Sequence, residues 1–422
     1  MTASTPRRER PIARSGLTRS LDYIAVITLL TSFTIGDFQV EYSAGFPVIK
    51  WYVLIGFLVY SLFRNASNIR MPRSLTFWLL LTFVCVATAS TFVHLHTSQE
   101  AEQRTASWAI LLAISFGVPT PPCPFQRLEI WTRSLLIVGV ALILVSFLGL
   151  YSPANYLSTR FRGLVSHPNH LAILVCFPLL TALALVTVKR QAIRAKVPLI
   201  GVISAGTALI LLSDSRSGII ACIVGALGLL LLGLNLNRFL RLVTGLGLAA
   251  GLLALLLNAV WSGDATRTAQ RSFALTDRGD IWQRQIDAFL LSPWIGHGLE
   301  LGTAEAYGSL MGRAGGEGSY TDLLSAAGVF GAGPFILACL LGLRNMRNGY
   351  RRTPQQFRVY YVAGVGCLTS VLTVAIGEGW LAAVGGVPPI VAWICLGAFD
   401  TISRQRQAPR MSLRMRRIDP LS

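Results

Sequence analysis

The run VPLIGVISAGTALILLSDSRSGIIACIVGALGLLLLGLN, residues 197–235, is two apolar blocks joined by the hexapeptide Ser213-Asp214-Ser215-Arg216-Ser217-Gly218. Each block has roughly the 17–25 residues a helix needs to cross a hydrocarbon core about 30 Å thick. The pair therefore predicts two membrane helices with a polar turn at one membrane surface. Arg216 is the only cation in that turn.

Working outward, the same pattern recurs along the chain. Apolar blocks at 22–38, 46–63, 75–95, 107–119, 134–151, 170–187, 197–213, 217–235, 242–261, 320–343, 357–377 and 380–399 predict an all-α, polytopic transmembrane bundle of about 12 helices. Over 422 residues the composition is 53% hydrophobic and 13% charged, against about 25% charged in soluble domains. The net charge of +18 sits in short loops between apolar blocks. That distribution sets membrane orientation and speaks against nucleic acid as a partner.

The N-terminal segment 1–21 is basic (Arg7, Arg8, Arg10, Arg14, Arg19), as is the tail 400–422 (Arg404, Arg406, Arg410, Arg414, Arg416, Arg417). Both are expected to be cytoplasmic, which requires an even number of spans in a bacterial inner-membrane protein. Nine spans then fill 22–261, a large external loop runs over 262–319, and three more spans fill 320–399. Arg127 and Arg133 fall in a loop predicted to be inside. The first apolar block lacks a small-residue cleavage site, so it is expected to remain as a helix. The seven cysteines show no metal-ligand spacing, and none is in the large loop; they read as packing residues.

A loop as long as 262–319 is usually functional or disordered. Its segment 278–291 predicts an amphipathic helix with Trp282, Ile286, Phe289 and Leu290 on one stripe, capped by Asp277 and ended by Pro293. Such a stripe needs either the other loops or the membrane face to lie on.

Phosphate-binding glycine loops, HExxH, GxSxG and CxxC pairs are absent. Mid-span charges are rare, which argues against an ion or proton relay. Polar groups gather instead in three external places. These are Arg160 and Arg162 with His167 and Asn169, the hexapeptide around Arg216, and the large loop with Arg267, Arg271, Arg278, Arg284, His297, Arg313, Glu317 and Tyr320. Asn169 is expected to cap the sixth span. Arginine stays charged and binds phosphate oxygens in bidentate fashion, so external arginines at a membrane surface suit a lipid-linked diphosphate.

Four segments resemble the O-antigen ligase and Wzy-type polysaccharide polymerase superfamily. They are RFRGLVSHPN (160–169), SDSRSG (213–218), RGDIWQRQIDAFLLSPWIGHG (278–298) and EGSYTDLLSAAGVFG (317–331), within a similar region of about 155–345. The resemblance implies inverting, metal-independent glycosyl transfer with no cofactor. The donor would be an undecaprenyl-pyrophosphate-linked oligosaccharide and the acceptor a glycan or lipid A-core. Membrane lipids and other polysaccharide-assembly proteins are the expected surroundings. Arg162 (or Arg160), Arg216 and Arg278 match family arginines that would bind the pyrophosphate, with His167, His297 and Tyr320 as further substrate-binding candidates.

The ligases resembled place a histidine where Gly328 and Gly331 set the register to Glu317, with Gly318 replacing its polar neighbour. A carboxylate can also accept a hydroxyl proton as general base, and the change favours polymerisation of O-antigen or exopolysaccharide repeats over ligation. A flippase would need polar residues lining a mid-membrane path, and a non-catalytic assembly protein would tolerate loss of the external arginines.

Overall fold

The computed structural model describes residues 16–38, 46–65, 74–93, 99–117, 124–157, 160–188, 192–233, 275–298, 318–381 and 386–405. The expected ninth span at 242–261 lies outside the described residues, as do Glu317, Arg267, Arg271, Arg313 and most of both basic termini.

The described chain is all-α apart from one small hairpin. Its helices are α1 (Gly16–Gly36), α2 (Phe46–Asn65), α3 (Leu75–Val93), α4 (Gln99–Leu112), α5 (Pro124–Leu148), α6 (Pro168–Val188), α7 (Ile193–Leu212), α8 (Arg216–Gly233), α9 (Leu275–Leu291), α10 (Ser319–Arg352), α11 (Arg358–Val374) and α12 (Val387–Arg404). Seven of them are long and apolar enough to cross a membrane; the protein is multi-pass. Strands β1 (Tyr156–Leu157) and β2 (Arg160–Phe161) pair antiparallel between α5 and α6.

Some ends differ from the hydropathy reading. Helix α5 starts at Pro124, ten residues before the apolar block at 134. Proline is preset for a first helical turn, so Arg127 and Arg133 lie on the helix rather than in a loop. Arg127 is buried and donates to the carbonyls of Ser115 (2.9 Å) and Ile114. Those carbonyls belong to a π-turn, Ala113–Gly117, whose wide backbone leaves acceptors that a cation can satisfy. Helix α12 begins at Val387, where Pro388 and Pro389 open it, and the residues at 380 and 381 form a separate short turn.

Lipid offers helices no hydrophobic drive to associate, so close packing carries the bundle. Helix α6 is buried along most of its length. A Cβ on Gly225 of α8 would stand 2.8 Å from the Gly366 carbonyl of α11, so only glycine allows that approach. Trp108, Phe83, Phe335 and Trp393 interlock between α3, α4, α10 and α12, with Trp108 and Trp393 centroids 4.9 Å apart.

The bundle has two distinct ends. One carries arginine pairs: Arg19 and Arg133 with Glu129 (both 2.9 Å), and Arg404 with Asp400 (3.1 Å). The other gathers the end of α1, the β-hairpin, the starts of α6, α8 and α10, and the turn after α11. There Phe38 bridges Val165, and the Ser166 amide donates to the Asp37 carbonyl (2.9 Å). This second end is the loop face.

Helix α10 breaks at Gly328, which adopts φ 57° and ψ −170°. The turn after α9 fills the break by backbone pairing. The His297 and Gly298 amides donate to the carbonyls of Ser325 (2.9 Å) and Ala326 (2.8 Å), and the Val329 and Phe330 amides donate to Pro293 (2.8 Å) and Trp294 (3.1 Å). A Cβ at Gly328 would lie 2.4 Å from the Trp294 backbone, and one at Gly296 2.4 Å from Ala326. Both glycines also have positive φ, so the clasp needs them twice over.

Candidate active site

The loop face is organised around Glu378, in the turn that follows α11. Its carboxylate is buried, and Oε1 accepts hydrogen bonds from Asn169 Nδ2 (2.7 Å) and Ser217 Oγ (2.9 Å). Its carbonyl accepts from the Ser319 hydroxyl (2.6 Å) and amide (3.1 Å). Ser319 Oγ in turn accepts from the Leu381 amide (2.8 Å). One residue thus ties together the starts of α6, α8 and α10.

Arg160 extends the network. Its Nη2 donates to Asn169 Oδ1 (2.6 Å) and its Nε to the Ser213 carbonyl (3.0 Å). The β-hairpin is thereby fastened to the turn at 213–215. Asn169 sits between Arg160 and Glu378, so its side chain does not cap α6 as its position suggested. His167 does that instead: its Nδ1 accepts from the Asn169 amide (3.2 Å), and its carbonyl accepts from the His170 and Leu171 amides. Pro168 takes the first helical position, which needs no donor.

Arg162 braces its own loop, donating to the carbonyls of Ala154 (3.1 Å) and Ser166 (3.3 Å). Arg162 Nε is buried with no hydrogen-bond partner among the described residues, so that arginine keeps a donor to spare. Arg216 is different. It is exposed at the first position of α8, and no described residue hydrogen-bonds its side chain. Its neighbours are firmly placed. Ser215 Oγ accepts from the Gly218 amide (3.2 Å) as the helix cap, and Asp214 holds the left-handed region at φ 47°. A cation at a helix N-terminus is electrostatically unfavourable in a protein without a ligand. The free amides there and the guanidinium would both favour an anion.

Tyr320 and His297 are half-buried with protein partners. The Tyr320 hydroxyl donates to the Leu372 carbonyl (2.9 Å), and His297 Nε2 lies 2.8 Å from the Ala288 carbonyl. Arg278 is in the first turns of α9. Helix α9 lies beside the start of α10, with Thr321 donating to buried Gln285. The Trp282 indole nitrogen is 2.6 Å from where a Gly318 Cβ would be. Trp282 packs against Gly318, whereas Ile286 and Leu290 of the same predicted stripe are exposed; the Trp282 N–H is buried without a hydrogen-bond partner among the described residues. Gly318, at φ 87°, is the described neighbour of Glu317.

Residues 199–336 match the family model described as O-antigen ligase. The chain's resemblance to the O-antigen ligase and Wzy-type superfamily is supported by that match, and with it membrane glycosyl transfer in the broad sense. No curated protein matches the chain. The O-antigen ligase-like stretch takes in the turn at 213–215, α8, α9 and the break in α10. Arg160, Asn169 and Glu378 lie outside it, yet hydrogen bonds join them to Ser213 and Ser217 within it.

Glu378 was missed by sequence reasoning because it falls between two apolar blocks, where it looks like a boundary residue. The available signal was a lone acid flanked by Gly377 and Gly379 in an expected external turn. Its loss has a definite expected outcome. Glu378→Ala leaves the Asn169 amide and Ser217 hydroxyl without their acceptor, at about 1–3 kcal/mol each. The variant is expected to melt several degrees lower in detergent and to yield at least about tenfold less glycan product. Glu378→Gln keeps an acceptor oxygen and is expected to recover most of both. Unchanged melting and yield in the alanine variant would contradict the tie.

Proposed function

We propose that this protein transfers a glycan from an undecaprenyl-pyrophosphate-linked donor to a sugar hydroxyl at the external face of the bacterial inner membrane. Its product is lengthened O-antigen or exopolysaccharide. The observation that carries the reading is Arg216: an exposed guanidinium at a helix start, with no described side-chain partner, beside a rigid hydrogen-bonded frame. Such an arrangement is built to receive an anion rather than to hold the fold.

Height in the membrane supports it. Counted along its two pieces on either side of the break at Gly328, α10 spans up to about 37 Å from Ser319 to Arg344, its first arginine, at 1.5 Å per residue. That exceeds a core of about 30 Å, so the Glu378 frame stands at headgroup level. A diphosphate there keeps its isoprenoid tail in lipid.

In this reading Arg216 and Arg278 grip the diphosphate, with Arg160 and Arg162 beside them. The acceptor hydroxyl attacks the donor's anomeric carbon from the side opposite the diphosphate. A new C–O bond forms, the bond to the diphosphate oxygen breaks, and the configuration inverts. Arginines stabilise the charge that develops on the leaving diphosphate. The acceptor proton passes to the Glu317 carboxylate.

The test is the lipid-linked glycan that accumulates in a deletion strain. A single externally accessible undecaprenyl-linked repeat is the expected species. A full-length lipid-linked polymer would overturn polymerisation in favour of ligation to lipid A-core. Repeats trapped on the cytoplasmic side would overturn transfer in favour of a flippase.

A further inference from the structure

We propose that the end of α9 and the turn after it, residues 290–295, form a wedge sunk among the lipid acyl chains of the loop-face leaflet. The large loop is then not a purely aqueous segment but one that re-enters the membrane.

Polarity along α9 is graded. Towards its start, exposed Gln283 donates to Asp287 (2.9 Å), a pair suited to water. Towards its end the exposed residues are Leu290 (65% exposed), Leu291 (72%), Trp294 (62%) and Ile295. Gln285 and Ala288 are buried against the protein, whereas Leu290, from the predicted stripe, and Leu291 have no protein cover among the described residues. Trp294 stacks on Phe330 of α10 at 5.4 Å and 28°. Exposed Val329 and Phe330 continue into Leu337 and Leu340 along the same helix. The patch is therefore continuous with the lipid-facing surface of a membrane span.

Depth follows from the clasp. Backbone bonds fix Pro293 and Trp294 level with Val329 and Phe330. Phe330 is fourteen residues before Arg344, a rise of about 21 Å. If Arg344 marks one boundary of a core about 30 Å thick, Phe330 lies roughly 9 Å inside the other. Trp294 shares that level. Backbone at such depth is tolerated only when its polar groups are satisfied, and here the broken helix supplies the partners. The parallel contacts Trp282 with Gly318 and Gln285 with Thr321 show α9 descending alongside α10. None of this depends on the reaction proposed above.

The test uses the full-length protein in proteoliposomes. Single cysteines are placed in a background without native cysteines, as Gln283→Cys, Asp287→Cys, Leu291→Cys and Trp294→Cys. An impermeant maleimide is expected to label positions 283 and 287 at least about tenfold faster than 291 and 294, and detergent is expected to narrow the gap. With native cysteines retained, acyl-brominated lipid is expected to quench wild-type fluorescence more than that of Trp294→Phe. Equal labelling at all four positions would overturn the wedge. Slow labelling at 291 and 294 without the Trp294-dependent quenching would also overturn it, by showing protein rather than lipid over the patch.

Discussion

Arg216→Ala is expected to lower long-chain glycan by about 10²- to 10³-fold, the usual loss when one preorganised donor to a developing negative charge is removed. The protein should insert and melt as wild type does. The structure gives the reason for separating the two effects: the side chain is exposed, and no described residue hydrogen-bonds it. Removing a cation from the first turn of α8 relieves an unfavourable dipole contact of about 0.3–1 kcal/mol, so stability has no cause to fall. Arg216→Lys keeps the charge but not the planar fork, and is expected to fall between the two. Glycan gels alongside thermal melts in detergent provide the measurement. Full-length polymer from the alanine variant would end the phosphate-binding role.

Glu317→Ala is expected to cost about 10²- to 10⁴-fold, the contribution of a positioned general base. The more telling variant is Glu317→His, which restores the residue type of the resembled ligases. A base works only when deprotonated. A carboxylate with an ordinary pKa of about 4.3 stays active well into mild acid, whereas imidazole protonates below about pH 6.5. The histidine variant is therefore expected to keep a substantial part of the activity at pH 8 and lose it as pH falls through about 6.5, where wild type does not. An alanine variant with normal polymer, or a histidine variant with the wild-type pH profile, would remove Glu317 from the proton transfer.

Legibility divided along physical lines. Hydropathy and the bias of arginines place eleven of the expected spans on described helices, because a membrane imposes length and composition on each span independently. Helix ends were less legible: Pro124 starts α5 where hydropathy alone waits for residue 134. Within the site, the motifs around Arg160, Arg216 and Gly296 stood out as polar or glycine-rich breaks in apolar sequence. The partners of those breaks did not. Asn169 looked like a cap until the structure put it between Arg160 and Glu378. Gly328 served in the sequence only as a register position of the family motif, and the structure puts the turn at Pro293–Gly298 into its break.

The sequence by itself determined that the chain is a helical membrane protein with cationic turns on one side, because those properties are carried by local windows of apolar length and charge. Only the tertiary structure decided which loop-face arginine has no side-chain hydrogen bond among the described residues, which acid holds the frame, and how deep the end of α9 lies. Those depend on hydrogen bonds between residues up to 209 positions apart, and no local pattern records such pairings.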